Sequence, residues 1–299
     1  MRKAVIDLGT NTFNLLIADL DSIGFTIVHS EKEGVSLGMG GINKNIISPD
    51  AFERGLKTLH HFKKICIENN VKNINAFGTS ALRGAKNAPD FVQQIYSKLG
   101  ITVSIISGEK EAELIYKGVK WSYDFSDPGV IMDIGGGSTE FIFANKNGMT
   151  DIISMDIGVS RIYQELKLND PLSPTDIKTI TDWLNEKSKG FFDGKSADLL
   201  IGASGSFETF YELIHNVPFP EKINSIEVPI EELNYTINSI ITSSQAERDI
   251  NDFIIPIRKK MAPIAAVKVK WVIEKLGINR IIISPCSLKE GALSEGILV

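Results

Sequence analysis

Val130-Ile131-Met132-Asp133-Ile134-Gly135-Gly136-Gly137-Ser138-Thr139-Glu140-Phe141-Ile142-Phe143 is the stretch from which the fold is read. The apolar run at its start reads as a buried strand ending in Asp133, and a second apolar run begins at Phe141. Two strands joined by Asp-Ile-Gly-Gly-Gly-Ser-Thr make a hairpin with an open tip. Glycine lets backbone N–H groups approach a ligand closely, and successive N–H groups in such a turn form an anion-binding concavity. The hydroxyls of Ser138 and Thr139 add donors, and Asp133 can hold a divalent cation directly or through water. Gly135, Gly136, Gly137, Ser138 and Thr139 are therefore candidate phosphate ligands, and Asp133 is a candidate metal ligand.

A second copy of the pattern lies at the N-terminus, Val5-Ile6-Asp7-Leu8-Gly9-Thr10-Asn11-Thr12-Phe13-Asn14-Leu15-Leu16-Ile17-Ala18. With Asp7 placed on Asp133, Gly9 falls on Gly135, Thr12 on Ser138, Leu15 on Phe141 and Ala18 on Ala144. Both copies run strand, Asp-x-Gly loop, hydroxyl, strand, so the chain is expected to consist of two related halves. Two such loops facing each other across a cleft would clamp a phosphate chain from both sides. Thr10, Asn11 and Thr12 join the phosphate-binding set, and Asp7 joins Asp133 as a candidate metal ligand.

Composition bounds the rest. A length of 299 residues is long for one domain and comfortable for two. A hydrophobic content of 43% with 23% charged residues is that of an ordinary globular protein. The net charge of −5 gives no global field for DNA or RNA, so a polyanionic substrate must be met by a local basic cluster. Two cysteines, Cys66 and Cys286, lie far apart without metal-ligand spacing and read as buried thiols in a reducing compartment. The chain enters a strand at once, with no signal peptide and no apolar run of membrane-spanning length, so a cytoplasmic protein is expected.

Between the hairpins the pattern alternates. A third strand is expected over 25–30, loop over 31–47, and a helix from Pro49 to about Asn70 with Ser48 as N-cap. His60 and His61 lie within it without a third ligand and read as surface or packing residues. A strand around 74–77 runs into Gly78-Thr79-Ser80, a helix N-terminus suited to an anion, with Arg83 about one turn in and suited to phosphate oxygens. After a helix over 90–99 and a strand over 101–106, Ser107 caps a helix with Glu109, Glu111 and Glu113 in its first two turns. Acidic residues are expected there from the helix dipole alone, yet one of them could face a cleft. The Asp/Ser/Pro stretch over 122–129 suggests a boundary, with domains at 1–123 and 124–299, the last helix being free to pack back on the first domain. In the second half, Gly202-Ala203-Ser204-Gly205-Ser206 is another strand, glycine loop and helix unit, placing Gly202, Ser204, Gly205 and Ser206 as contacts to a nucleotide or a distal phosphate. Arg258-Lys259-Lys260 taken alone reads as a solvated helix face.

The paired Asp-x-Gly hairpins resemble the phosphate loops of the actin-like ATPase superfamily. In detail the chain resembles the exopolyphosphatase / guanosine pentaphosphate phosphatase family, on Asp7 to Phe13, Thr79 to Arg83 with Asn87, Ile106 to Ala112, Asp133 to Glu140, Gly202 to Ser206 and Lys289-Glu290-Gly291. The order and spacing match from end to end. The resemblance implies an α/β fold of two ribonuclease-H-like domains, each a mixed sheet flanked by helices, with an interdomain cleft. It implies hydrolysis of terminal phosphoanhydrides of inorganic polyphosphate or guanosine pentaphosphate with Mg²⁺, and a homodimer, while the charge and hydropathy readings lead to the expectation of no DNA and no membrane partner. It selects Glu111 as catalytic base and places Glu140 at the site as well. Which of the two activates water stays open, as does the balance between the helix dipole, which lowers the pKa of Glu111, and burial, which raises it. Two departures stand out: Lys289 replaces the family's usual arginine, and Lys259-Lys260 follow Arg258 where relatives carry a small-acidic pair. An ATP-dependent kinase of the same superfamily and a non-catalytic polyphosphate or alarmone sensor are the alternatives.

Overall fold

The computed structural model describes residues 1–21, 24–220 and 223–294. Near-continuous apolar runs in the central strands, buried on both faces, build two sheets, each with helices on both faces. The first sheet comprises β1 (Arg2–Leu8), β2 (Thr12–Leu20), β3 (Phe25–Gly34), β4 (Asn73–Gly78) and β5 (Val103–Ile105), in the order β3-β2-β1-β4-β5. β2 runs antiparallel to β1 and β3, while β4 and β5 are parallel to β1. Its helices are α1 (Pro49–Glu68), α2 (Ser80–Gly84), α3 (Ala88–Leu99) and α4 (Gly108–Val119).

The second sheet uses β6 (Gly129–Ile134), β7 (Thr139–Asn145), β8 (Gly148–Met155), β9 (Leu199–Gly202), β10 (Ile226–Val228) and β11 (Arg280–Ile283), in the order β10-β11-β9-β6-β7-β8. β6, β7, β8, β9 and β11 repeat the arrangement of β1 to β5, and β10 is an added antiparallel edge. The helices of this half are α5 (Val159–Glu165), α6 (Pro174–Lys187), α7 (Gly205–His215), α8 (Ile230–Thr242), α9 (Gln245–Asp249), α10 (Pro256–Lys259), α11 (Ala262–Leu276) and α12 (Leu288–Leu293). This is the expected pair of mixed sheets flanked by helices. Among the described residues no helix is long and apolar enough to cross a membrane.

One local expectation is corrected. β3 continues through Glu31-Lys32-Glu33 to Gly34, because β2 is long enough to pair with all of it, Thr12 lying opposite Gly34. Ser48 is the N-cap of α1 as expected, although its hydroxyl donates to the Met39 carbonyl at 3.2 Å and makes no capping bond.

The core has three parts. Ile6, Leu8, Phe13 and Leu15 face α1 and α3 through Phe62 and Phe91, whereas Met132 and Phe141 of the second sheet face Phe192, Phe207 and Trp271. The alternate strand residues, Val5 and Leu16 in one sheet and Ile131 and Ile142 in the other, meet in a shared layer built on Leu114 and Ile115 of α4 and Leu288 and Leu293 of α12. α12 packs on α4, β1 and β2. The two helices cross without side chains between them: a Cβ on Gly118 would lie 1.8 Å from the Ser287 carbonyl oxygen, and one on Gly291 1.8 Å from that of Leu114.

That crossing makes a direct prediction. No rotamer change can relieve a methyl–backbone overlap, so Gly291→Ala should cost at least about 3 kcal/mol, the upper end of overpacking penalties. Gly84→Ala, whose Cβ would meet nothing closer than 3.8 Å, should shift stability by less than about 0.5 kcal/mol. Urea unfolding midpoints of the two variants test the difference, and equal midpoints would mean that the helices can separate freely.

Candidate active site

The strands end where chemistry begins. Asp7 is the penultimate residue of β1 and Asp133 of β6, and each strand is followed by the same tight turn, Gly9 N–H donating to the Thr12 carbonyl and Gly135 N–H to that of Ser138, both at 3.1 Å. The two loops meet: a Cβ on Gly137 would fall 2.6 Å from Thr10 Oγ1 and 2.5 Å from Ser80 Oγ. Asn11 Oδ1 accepts from Ser160 Oγ of the other lobe at 2.5 Å. Thr10, Asn11 and Thr12 on one side, and Gly135, Gly136, Gly137 and Ser138 on the other, line one cavity between the lobes, as the paired-loop reading expects.

The repeat is chemically unequal at one register position. Asp7 pairs across its hairpin with Asn14, and Asp133 pairs across its own with Glu140. Asn14 Nδ2 donates to Asp7 Oδ2 at 3.0 Å, whereas Glu140 puts a second carboxylate beside Asp133. The offset that aligns Asp7 with Asp133 also aligns Asn14 with Glu140, so this contrast was present in the sequence.

Glu111 enters the cavity from the start of α4, where Ser107 Oγ accepts the Lys110 N–H at 3.1 Å. Glu109 is exposed, and Glu113 pairs with Lys110 at 3.5 Å, so Glu111 is the carboxylate of the three that faces the cleft. Arg83 Nη1 donates to Glu111 Oε2 at 2.9 Å and to the Ile106 carbonyl at 3.1 Å. Arg83, expected as a phosphate clamp, is thus engaged in orienting Glu111 and is not part of the cavity wall.

Burial dominates the electrostatics. It pushes Glu111 up to about 7, with Asp7 and Asp133 adding to the shift and Arg83 opposing it. Burial is the largest of these influences and sets the upward direction. Asp7 rises to about 6 through burial, against the Asn14 hydrogen bond. Asp133 rises to about 8, from burial and then Glu140, against Ser287 Oγ, which donates to it at 2.6 Å. Burial, with Glu111 adding to it, also pushes Glu140 up to about 8, against the Ser154 hydroxyl that donates to it at 2.6 Å. Beneath the second loop lies the buried Lys268, whose ammonium donates to Thr139 Oγ1 and the Ile157 carbonyl. Burial lowers it to about 7, while Glu140 and Asp133 oppose the shift.

This carboxylate set suits a hard divalent cation. The buried Asp7 Oδ1 has no hydrogen-bond partner among the described residues, and negative charge held away from water is stabilised by a bound cation. Among those residues no three acidic, His or Cys side chains converge on one point. A cation there would therefore take one or two carboxylates and complete its shell with water or ligand oxygens, which is how Mg²⁺ binds.

Two further expectations are corrected. Thr139 does not face the cleft, because strand alternation turns its fully buried side chain toward Lys268, and its hydroxyl donates to the Ser138 carbonyl. Gly202 does not reach the cavity, and a Cβ there would strike the Phe207 ring at 2.2 Å, so its role is packing. Ser204, Gly205 and Ser206 do line the cavity.

Sequence reading missed the basic end of the cavity. Arg258, read as part of a solvated face, lies in the wall with Lys32 from β3 and Lys289 from α12. Lys259 and Lys260 do not: Lys259 Nζ donates to the Asp249 carbonyl, and Lys260 is exposed. No signal short of the fold joins positions 32, 208, 258 and 289. Cys66 and Cys286 are free and buried, and burial pushes both thiols up, to about 11 and about 12.

The Ppx/GppA phosphatase family matches over residues 16–298. A bifunctional 3-dehydroquinate synthase/phosphatase of Fusobacterium nucleatum is 32% identical over 99% of this chain and 46% of its own length. A guanosine-5'-triphosphate,3'-diphosphate pyrophosphatase of Pseudoalteromonas translucida is 31% identical over 99% of this chain and 58% of its own. The chain thus spans about half the length of these curated relatives. The crystal structure of an exopolyphosphatase from Cytophaga hutchinsonii superposes with a TM-score of 0.92 at 34% identity, covering 98% of this chain and 96% of that one.

The buried carboxyls predict how stability depends on pH. A carboxyl with a raised folded pKa keeps its proton in the fold where the unfolded chain has released it. Its stabilising contribution is complete below the unfolded value of about 4 and is lost as pH rises through the folded value. With Asp7 at about 6, Glu111 at about 7, and Asp133 and Glu140 at about 8, metal-free protein should lose thermal stability steadily from pH 5 to pH 7. Lys268 acts in the opposite sense, but above about 7. Asp133→Asn should make the decline shallower and raise Tm at pH 7 by several degrees, roughly 2–4 °C per kcal/mol at this size. A slope unchanged by Asp133→Asn in calorimetric scans would place its pKa near the ordinary value.

Proposed function

The chain belongs to the Ppx/GppA phosphatase family, and on that footing we propose that it releases terminal phosphate from inorganic polyphosphate or guanosine pentaphosphate by water attack. The observation that carries this reading is Glu111: a carboxylate buried in a two-loop phosphate cleft, oriented by Arg83 at 2.9 Å and shifted to about 7. A base poised near the working pH is what general-base catalysis needs. Phosphoryl transfer otherwise requires in-line placement and charge neutralisation more than covalent chemistry.

The turns after Asp7 and Asp133 would hold the terminal phosphate between their N–H groups and the hydroxyls of Thr10, Thr12 and Ser138. Glu111 would take a proton from water as its oxygen bonds to the terminal phosphorus. The bridging P–O bond breaks, orthophosphate forms, and the shortened chain leaves with the electron pair. Arg83 keeps the Glu111 carboxylate aimed, and Glu140, fixed by Ser154 and opposite Asp133 in the hairpin, adds a second carboxyl within electrostatic reach of Glu111. Asp7 and Asp133 would hold Mg²⁺ from opposite lobes; when bound, that ion neutralises phosphate oxygens and polarises the phosphorus.

Glu111→Gln keeps shape and removes the base, so turnover should fall about 10²–10⁴-fold. Affinity should hold or rise, since a negative charge beside a polyanion is gone. Glu109→Gln and Glu113→Gln should have small effects. Phosphate release from polyphosphate, guanosine pentaphosphate and ATP measures all of this, and near-native turnover in Glu111→Gln beside an inactive Glu140→Gln would transfer the base role to Glu140. Removing Mg²⁺ with a chelator should abolish release. Added Mg²⁺ should raise Tm in wild type and not in the Asp7→Asn, Asp133→Asn double variant; equal shifts in both proteins would reject these ligands.

A further inference from the structure

The basic end of the cavity contains its own anion. Glu208, in the first turn of α7, meets Lys32 Nζ from the other lobe at 2.9 Å and Arg258 Nη2 at 3.5 Å, while Lys289 acts on it through space. Arg258 is held over the start of α7 by Thr209, to whose hydroxyl it donates at 2.9 Å, and by Gly205, where a Cβ would fall 1.6 Å from its guanidinium. A first-turn carboxylate needs only its helix dipole for stability. This one instead meets cations carried by three separate elements, β3, α10 and α12. Burial alone would raise Glu208, yet Lys32, Arg258 and Lys289 together hold it at about 2, so it carries its full charge throughout the neutral range.

We infer that Glu208 is the specificity-determining residue of the cleft: its carboxylate occupies the subsite in which Lys32, Arg258 and Lys289 would receive the phosphates behind the reacting one, so an incoming phosphate chain binds by displacing it. The inference rests on the phosphatase reading only for the identity of the ligand. The cost of displacement bears on the chain behind the terminal phosphate and not on the loops that hold the terminal group. Lys289 Nζ also pairs with the buried Glu290 at 2.8 Å, so three cations less two carboxylates leave one net positive charge at this end, and removing the Glu208 carboxylate would double it.

A salt bridge that merely latches the lobes makes a different prediction. Lys32→Met and Glu208→Gln delete the same bridge, so a latch would change polyanion affinity in one direction in both. A competing anion moves them apart. Calorimetric titration with inorganic tripolyphosphate in Mg²⁺-free buffer reads affinity without turnover. Glu208→Gln should bind roughly tenfold tighter and Lys32→Met roughly tenfold weaker than wild type, about the size of one charge-assisted hydrogen bond. Glu208→Asp, which keeps the charge, should return toward wild type, and Glu208→Ser should repeat the gain if the glutamine variant does not fold. Changes of the same sign, or no gain on removing the carboxylate, would overturn the inference. Failure of wild type to release phosphate from any polyphosphate or guanosine pentaphosphate would remove the hydrolase reading and leave these binding signs to decide this one.

Discussion

Two helices cross between the sheets with their backbones in contact, and the site is assembled from what they carry. The Gly118–Gly291 crossing sets how far α4 and α12 lie from each other and hence from both sheets. The N-terminus of α4 presents Glu111, and the start of α12 presents Ser287, which anchors Asp133, and Lys289, which pairs with Glu290 at 2.8 Å and acts on Glu208 through space. A displacement of the crossing would move the proposed base, one proposed metal ligand and one phosphate-facing cation together. The apolar layer around these helices, Val5, Leu16, Leu114, Ile131 and Leu293 among others, joins the lobes at this end. At the cavity the lobes meet through polar contacts, Ser160 to Asn11, Gln164 to the backbone of Gly38 and Gly40, Asn43 to the Arg161 carbonyl and Lys32 to Glu208, and through Met39, which packs on the core of the second half. Separating polar groups into water costs far less than exposing a shared apolar layer.

Charge is sorted along the cavity. Four carboxyls cluster where the loops meet, all pushed upward by burial, and three cations lie toward the other end around Glu208. Such an array opposes folding in the absence of ligand, and a cation with a polyanion relieves both ends at once. Perturbed groups of this kind gather at functional sites because the same desolvation that tunes a base destabilises the fold. The asymmetry of the repeat adds to this. Asn14 favours the ionised form of Asp7 by donating a hydrogen bond, and Glu140, at the matching position, instead raises Asp133. One half of the duplicated frame keeps a neutral partner, and the other has acquired a second acid.

By itself the sequence determined the duplicated strand–loop–strand frame, the two Asp residues that end its first strands, the loop donors and the glutamate at the start of α4. Each is local: a period-two strand, a glycine turn or a helix cap is specified by residues within a dozen positions of each other. For the same reason it could see three glutamates near Ser107 but could not weigh burial against the helix dipole, since burial is contributed by the opposite lobe. The tertiary structure alone decided that Thr139 turns inward to Lys268, that Gly202 makes room for Phe207, and that Arg83 orients Glu111 instead of lining the cleft. It alone brought Lys32, Glu208, Arg258 and Lys289 together from positions up to 257 residues apart. Long-range ion pairs leave no periodic trace in a chain, because nothing in the spacing of two charges records which strand end and which helix will carry them to the same cavity.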